Sequence, residues 1–224
     1  RSLTKTSADD KMSQGKAVIM VIYRPGSVAP CLWDLQAIIL VSPAGTYAKA
    51  PTPKHNRKAE RTPQRCVSFS KNREKNKPFL LYLPWNSPHT PLQAPKALMA
   101  KYLTELNPQR IIFSAMTEAM DTGIGKILAT LDAEKISDST IVVFFSDNGG
   151  MLAVGGRNAP LRGGKGTTYE GAIRVPAVIH WPGHLEGGDV NQTVLNVYDL
   201  FPTLAAAAGI EVRANKTLDG NNLL

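Results

Sequence analysis

Two short apolar runs with a long amphipathic stretch between them constrain the fold of this chain more than any other feature. Phe79 to Leu83 (FLLYL), closed by Pro84, is continuously apolar, which is typical of a strand buried on both faces. Between Pro108 and Leu131, apolar residues recur at spacings of three and four and predict one face of a long helix. Ser139 to Phe145 is a second buried-strand run. This order predicts an α/β domain with a largely parallel sheet.

Three further elements follow from the same kind of pattern. Ala94 to Leu103 predicts a short helix with a proline in its first turn. Arg174 to Trp181 predicts a third strand, and Tyr198 to Ala208 predicts a last helix that is capped by Gly209. The regular part of the chain therefore runs from residue 78 to the last residue.

The first third of the chain has a different composition. Residues 1–78 carry 15 Lys and Arg against 5 Asp and Glu, whereas residues 79–224 carry 11 against 13. Val18 to Tyr23 and Ile38 to Val41 have the composition of strands, but residues 42–78 are rich in proline and charge and predict a linker or disorder. We therefore divide the chain into a basic, proline-rich segment of uncertain fold (1–77) and an α/β part (78–224).

Several classes of protein are disfavoured by composition. Cys31 and Cys66 lack the spacing of a zinc site, and no apolar run approaches the roughly 20 residues of a membrane helix. No signal peptide is visible in the sequence. The basic segment has Phe69 but no other aromatic residue between Lys54 and Lys77, so we expect no nucleic-acid partner. Composition makes no prediction about the oligomeric state.

Polar clusters follow the first two predicted strands. If those strands are parallel, His89 emerges on the same rim of the sheet as the pair Asp147 and Asn148. A carboxylate beside an amide oxygen suits Ca²⁺ or Mg²⁺, and Gly149-Gly150 allows a tight turn around an ion. Asp-Asn-Gly-Gly is also an ordinary turn sequence, and a hydrogen-bonded structural histidine is the alternative for His89.

The third cluster is the glycine-rich stretch from Leu161 to Gly171 (LRGGKGTTYEG), which contains Arg162 and Lys165. Backbone amides together with two cations can hold a tetrahedral oxyanion and stabilise charge on a leaving oxygen. The spacing is not that of a P-loop. A surface loop with incidental charge fits the same residues, and the spacing leaves both interpretations open.

Four motifs in order carry a family resemblance: PFLLYLPWNSPHTP, VVFFSDNGG, PLRGGKGTTYEGAIRVP and YDLFPTL. Over residues 78–224 the chain resembles the sulfatase family, of the arylsulfatase and N-acetylgalactosamine-sulfatase type. The resemblance implies an alkaline-phosphatase-like α/β/α sandwich, incomplete at the N-terminus, and one divalent cation, usually Ca²⁺. It also implies a sulfated small molecule or a sulfated glycan as partner, and family members are mostly exported.

By the same resemblance, Asp147 and Asn148 match metal ligands. His89 and Lys165 match the catalytic residues that contact the sulfate and its bridging oxygen. Arg162, as the other cation of the glycine-rich stretch, is a candidate substrate-binding residue together with His89 and Lys165. Asp121 and Glu170 also match the family pattern, and we interpret both as structural. The YDLFPTL segment and Leu218-Asp219-Gly220 are expected to be scaffold.

The chain departs from the family pattern in its first third. Neither Cys31 nor Cys66 lies in the C/S-x-P-S/A-R motif that yields formylglycine, and no apolar strand precedes Asp9-Asp10 to make them the first metal-binding pair. We therefore expect little or no sulfatase activity from this chain alone.

A frameshift or a wrongly assigned start in the coding sequence is one hypothesis for residues 1–77. Two other functions stay open: a phosphodiesterase or phosphonate hydrolase of the same superfamily, and a non-catalytic remnant whose basic tail binds polyanions.

Overall fold

The computed structural model describes residues 18–23, 36–41, 46–49, 61–73, 79–105, 107–212 and 217–224. Cys31, Asp9 and Asp10, and most of the basic stretch for which a linker was predicted, lie outside these residues.

Within the described residues, seven strands form one sheet in the order β3-β4-β2-β5-β6-β1-β7. The strands are β1 (Val18–Tyr23), β2 (Gln36–Val41), β3 (Thr46–Lys49), β4 (Phe79–Trp85), β5 (Ile141–Phe145), β6 (Arg174–His180) and β7 (Val190–Leu195). The helices are α1 (Arg61–Asn72), α2 (Lys96–Met99), α3 (Pro108–Ala133), α4 (Glu170–Ile173) and α5 (Leu200–Ala207).

The prediction of a largely parallel sheet is wrong for this part of the chain. Strand β2 is antiparallel to both β4 and β5, and β6 is antiparallel to β5 and β1. Only the pairs β1–β7 and β3–β4 are parallel among the described strands. The long helix α3 connects β4 to β5, and these two strands run in the same direction, as predicted. Strand β2 lies between them in the sheet and runs in the opposite direction. Which strands pair depends on residues that are far apart in the chain. The local order of strand, helix and strand therefore does not predict the direction of each pair.

Strands predicted upstream of residue 78 are present as β1 and β2. Two elements replace parts of the predicted linker, because β3 and α1 both lie between residues 42 and 78. The division of the chain at residue 77 stays a prediction, although one sheet combines strands from both sides of it.

Two hydrophobic clusters cover the two faces of the sheet. On one face, Cys66 of α1 and Met120 and Ile127 of α3 pack against alternate residues of β4, including Leu81. On the other face, Leu200 of α5 packs against Val143 and other residues of β5 and β6. Because adjacent strand residues point to opposite faces, β4 and β5 contribute to both clusters. The described helices and sheet therefore form three α/β/α layers.

The helix predictions are confirmed with shifted ends. Helix α3 begins at Pro108, after Asn107 accepts hydrogen bonds from the backbone N–H groups of Gln109 and Arg110. Gly209 adopts a positive φ of 67° just after α5, as a C-terminal cap requires. No helix in the described ranges is long and apolar enough to cross a membrane.

The scaffold role expected for the YDLFPTL segment has a physical basis in Asp199, which is 7% exposed. Its carboxylate accepts a hydrogen bond from the backbone N–H of Asn196 at 2.8 Å and one from that of Asn221 at 2.8 Å. Thr203 on α5 adds a hydrogen bond from the backbone N–H of Leu223 at 3.1 Å. These contacts hold residues 217–224 against α5.

Candidate active site at one rim of the sheet

The ends of β4 and β5 lie level with each other at one rim of the sheet. Both strands are antiparallel to β2, so they run in the same direction. Trp85 at the end of β4 lies opposite Gln36, and Phe145 at the end of β5 lies opposite Ala37, the next residue of β2. The polar segments after β4 and β5 therefore leave the sheet at the same rim, on either side of β2.

Asp147 and Asn148 follow β5 directly, and both are partly buried. The side-chain amide of Asn148 donates a hydrogen bond to Oδ1 of Asp147. The hydroxyl of Ser146 donates to the carbonyl oxygen of Asn148 at 2.8 Å, and the backbone N–H of Gly149 donates to the carbonyl oxygen of Ala172 at 2.9 Å. The turn that carries the two oxygen donors is thus hydrogen-bonded to the chain that leads into β6.

Glycines allow this turn to touch the glycine-rich loop backbone to backbone. A Cβ added at Gly149 would lie 1.7 Å from the carbonyl oxygen of Gly171, and one added at Gly164 would lie 2.5 Å from the carbonyl oxygen of Gly150. No side chain fits at either distance. Gly149 and Gly164 are therefore explained by a close approach between two loops, in addition to turn formation.

Lys165 is placed directly against the Asp147–Gly150 turn. Its backbone N–H donates to the carbonyl oxygen of Gly150 at 3.3 Å. The loop around it is closed by Thr167, whose backbone N–H and hydroxyl both donate to the carbonyl oxygen of Gly164, at 3.0 and 2.8 Å. The backbone of Lys165 is thus hydrogen-bonded to the turn that carries Asp147 and Asn148.

His89 lies on the same rim, at the end of a turn in which its backbone N–H donates to the carbonyl oxygen of Asn86 at 2.8 Å. The Nδ1 atom of His89 lies 2.6 Å from the carbonyl oxygen of Thr90. A carbonyl oxygen only accepts, so Nδ1 carries the hydrogen in this arrangement. The segment that carries His89 leaves the sheet at Trp85, the last residue of β4.

Arg162 stands at the start of the glycine-rich loop and packs on Tyr169 within it. Its guanidinium carbon lies 3.7 Å from the centre of the Tyr169 ring, and Nη2 donates to the Tyr169 hydroxyl at 2.6 Å. The carbonyl oxygen of Arg162 accepts from the backbone N–H of Gly171 at 2.8 Å. These contacts order the loop. A direct contact of Arg162 with substrate stays a prediction.

The segment between the two loops is tied to the start of α3. Arg110 donates to the carbonyl oxygen of Gly155 at 2.5 Å, and Arg157 forms an ion pair with Glu105 at 3.0 Å. The first turn of α3 therefore supports the rim from the side.

The structural interpretation of Asp121 and Glu170 stays a prediction. Asp121 is an exposed position on α3. Glu170 begins α4, and its carboxylate lies 3.8 Å from Arg174.

The negative charge of Asp147 affects a tyrosine of the sheet. Burial raises the pKa of Tyr82 on β4, and the negative charge of Asp147 raises it further. A cation bound beside Asp147 would offset that charge.

The donor set at this rim fits part of a calcium site. Asp147 and Asn148 offer a carboxylate and an amide oxygen, which are hard ligands of the kind that Ca²⁺ takes in groups of about 6–8. Within the described residues, no group of three or more His, Cys, Asp and Glu side chains could hold a metal ion. The described residues therefore offer two neighbouring oxygen atoms suited to such an ion and no more complete cluster of this type.

Sequence reasoning missed Asn158, which hydrogen-bonds to both loops. Its local sequence, Arg-Asn-Ala-Pro, is that of an ordinary turn. Only the contact between the two loops in the folded structure distinguishes Asn158 from an ordinary turn residue.

Comparisons with known proteins agree with the motifs. The sulfatase family profile matches residues 33–210. The match begins well before Pro78, so the family resemblance extends upstream of residues 78–224, the range over which the four motifs indicated it.

Curated relatives and a solved structure match the same region. The chain is 36% identical over 165 residues to N-acetylgalactosamine-6-sulfatase from Homo sapiens, covering 72% of this chain and 30% of that protein. It is 38% identical over 160 residues to arylsulfatase H from Homo sapiens, covering 68% of this chain and 27% of that protein.

The solved structure is that of Ps i-CgsB in complex with k-i-k-neocarrahexaose. It is 41% identical with a TM-score of 0.71, covering 74% of this chain and 37% of that chain. This chain thus spans about a third or less of the length of these relatives. On the extent of the profile match and the shared fold, the chain belongs to the sulfatase family.

Proposed function

We propose that this chain contributes the metal side and the leaving-group side of a site that hydrolyses sulfate esters. The observation that carries the proposal is the direct backbone contact between the Asp147–Gly150 turn and the loop of Lys165. This contact supports an arrangement in which Asp147, Asn148 and Lys165 act on one ligand at the rim of the sheet, with His89 on the segment after β4. When an anionic ester is hydrolysed, negative charge develops on the leaving oxygen. This combination of groups would bind the anion and stabilise that charge.

Each residue has a distinct task in the proposed reaction. The ammonium group of Lys165 attracts the sulfate and stabilises negative charge that develops on the bridging oxygen. His89 gives a proton to that oxygen from Nε2, while Nδ1–H stays on the Thr90 carbonyl. Arg162 adds a positive charge at the entrance of the loop.

Asp147 and Asn148 would hold the Ca²⁺ that the family typically uses. When bound, the cation would neutralise sulfate oxygens and make the sulfur more electrophilic. The formylglycine motif is absent from the printed sequence, so this proposal contains no nucleophilic step. We expect little or no turnover from this chain alone.

The substrate class is a sulfated small molecule or a sulfated glycan. Two of the relatives are named as an N-acetylgalactosamine-6-sulfatase and an arylsulfatase, and Ps i-CgsB was solved in complex with a neocarrahexaose. We propose the same broad class for the site of this chain.

A chimera tests the proposal without relying on the first third of the chain. The matching segment of Ps i-CgsB is replaced by residues 79–212, and turnover of nitrocatechol sulfate and of a sulfated carrageenan oligosaccharide is measured. We expect His89→Ala and Lys165→Ala each to lower kcat/KM by roughly 10²–10⁴. Asp147→Ala should also lower it, with partial recovery at high calcium.

Matched controls carry the same chemical change elsewhere. His184→Ala removes an exposed histidine that stacks on Trp181, and Asp121→Ala removes an exposed carboxylate of α3. Both controls should stay within about twofold of the parent chimera. Full activity in both His89→Ala and Lys165→Ala would remove the site assignment. Faster hydrolysis of a phosphate diester than of any sulfate ester would favour the phosphodiesterase alternative.

A further inference from the structure

The side-chain amide of Asn158 lies at the junction between the two loops of the candidate site. Its Oδ1 accepts a hydrogen bond from the backbone N–H of Gly150 at 2.8 Å. Its Nδ2 donates to the carbonyl oxygen of Gly150 at 2.8 Å and to the carbonyl oxygen of Gly163 at 3.1 Å. One amide thus binds both polar groups of Gly150 and links them to the other loop.

Only an amide can make this set of contacts. Two of the three partners are carbonyl oxygens, which accept only, and the third is an N–H group, which donates only. Aspartate at position 158 would place a carboxylate oxygen against two carbonyl oxygens. Alanine would leave three partly buried backbone groups without this partner. The backbone carbonyl of Asn158 also accepts from the N–H of Leu161 at 3.0 Å, which fixes the turn that carries the amide.

Gly150 is the residue through which Asn158 reaches the proposed chemistry. Its carbonyl oxygen accepts from Nδ2 of Asn158 and also from the backbone N–H of Lys165. It lies two residues after Asn148, the second of the proposed metal ligands. On its other side, a Cβ added at Gly156 would lie 2.7 Å from the Gly150 carbonyl carbon, so that side is closed as well. Displacement of Gly150 would therefore move the Asp147–Asn148 pair relative to Lys165.

We propose that Asn158 is a positioning residue that fixes the spacing between the metal-binding pair and Lys165. This inference rests on the proposed function, because the spacing matters only if both groups act on one ligand. Asn158 acts through Gly150 and need not touch metal or substrate. Its loss should weaken cation binding at Asp147 more than it weakens the fold as a whole.

The test uses the whole chain with Asn158→Ala and Asn158→Asp. The matched control is Thr140→Val, which removes a buried hydrogen bond, from the Thr140 hydroxyl to the Ile136 carbonyl at 2.6 Å, at the other end of β5. Three quantities are measured: residue-resolved amide hydrogen exchange, the affinity for Tb³⁺ by luminescence, and the thermal unfolding midpoint. Asp147→Ala shows whether Tb³⁺ binds at the proposed pair.

Both Asn158 variants should speed amide exchange at Gly150 and Lys165 by about tenfold or more, because opening of the loops becomes easier. They should also raise the Kd for Tb³⁺ by about tenfold, with a fall in the unfolding midpoint no larger than that of Thr140→Val. Thr140→Val should leave both the exchange at Gly150 and the Kd for Tb³⁺ near the parent values. Asn158→Asp should be the more damaging of the two substitutions.

The outcomes separate this inference from the proposed function. Unchanged exchange at Gly150 and Lys165 in Asn158→Ala would overturn the inference. A second result would also overturn it: Asp147→Ala abolishes Tb³⁺ binding, but Asn158→Ala leaves the Kd for Tb³⁺ unchanged. The proposed metal site would stand in that case. If the parent chain does not bind Tb³⁺, or binds it equally after Asp147→Ala, the proposed metal site fails. The exchange rates of Gly150 and Lys165 then decide by themselves whether Asn158 joins the loops.

Discussion

At the scale of single residues, Tyr82 reports on the charge of the candidate site. It lies on β4, three residues before the end of the strand, and is partly buried beside the cluster that α5 covers. Burial is the larger cause of its raised pKa, and the negative charge of Asp147 is the second. Loss of that charge should therefore lower the pKa of Tyr82 without returning it to its usual value.

We expect Asp147→Asn to lower the pKa of Tyr82, because the phenolate no longer faces a carboxylate. Added Ca²⁺ should have the same sign of effect in the parent chain and no effect in Asp147→Asn. The measurement is ultraviolet absorbance during alkaline titration, with the signal of Tyr82 isolated by subtraction of Tyr82→Phe in each background. Asp138→Asn, an exposed carboxylate before β5, is the control. A pKa of Tyr82 that is the same with and without Asp147 would show that the two side chains do not interact.

At the scale of elements, glycine has opposite roles in the rim loops and in α3. Gly149 has the carbonyl oxygen of Gly171 at a distance that no Cβ tolerates. Gly125 lies on the exposed side of α3, and a Cβ added there would meet nothing within 4 Å. One glycine is required by a contact between loops, whereas the other only weakens its helix.

Alanine substitutions should therefore change stability in opposite directions. Gly149→Ala should destabilise the chain by roughly 3 kcal/mol or more, since the backbone of either loop has to move. Gly125→Ala should stabilise it by roughly 0.5–1 kcal/mol, because alanine favours the helix. Urea unfolding of both variants, followed by circular dichroism, measures the difference. Equal effects of the two substitutions would contradict the close approach of the loops.

At the scale of the whole molecule, Cys66 joins the first third of the chain to the sheet. It lies on α1, is 1% exposed, and packs in the cluster formed with β4 and α3. Burial raises the pKa of its thiol from 9.0 to about 11, partly offset by the nearby Ser70 hydroxyl. The folded chain thus holds the neutral thiol at a pH where an unfolded chain would ionise it.

Stability should consequently fall at alkaline pH. The contribution of Cys66 is fully present below about pH 9 and is lost as the pH rises towards 11, amounting to roughly 2–3 kcal/mol. The free energy of unfolding in urea is compared at pH 8 and pH 10.5 for the parent and for Cys66→Ala. The variant should be less stable at pH 8 but should lose less stability on going to pH 10.5. An identical pH dependence in both chains would show that α1 does not hold the thiol in the core.

The elements were predictable where one local pattern sufficed. The spacing of Met120 and Ile127 predicts α3, and the run from Phe79 to Leu83 predicts β4, because burial on one helix face or on both strand faces leaves a direct mark on the order of residues. Charge and proline hid α1 and β3, since polar composition outweighs a short apolar pattern in a local interpretation. The candidate site residues were found from glycine-rich motifs and family resemblance, and their roles stay predictions.

The sequence by itself determined the strands β4, β5 and β6, the helices α3 and α5, the family, and the identity of the groups that follow β4 and β5. Only the tertiary structure decided that β2 inserts between those strands in the opposite direction, and that their ends are nevertheless level at one rim. It also decided that Asn158 joins the two loops. The physical reason is the range of the interactions. Periodicity records contacts within a helix or strand, whereas strand pairing and loop-to-loop hydrogen bonds depend on residues far apart in the chain.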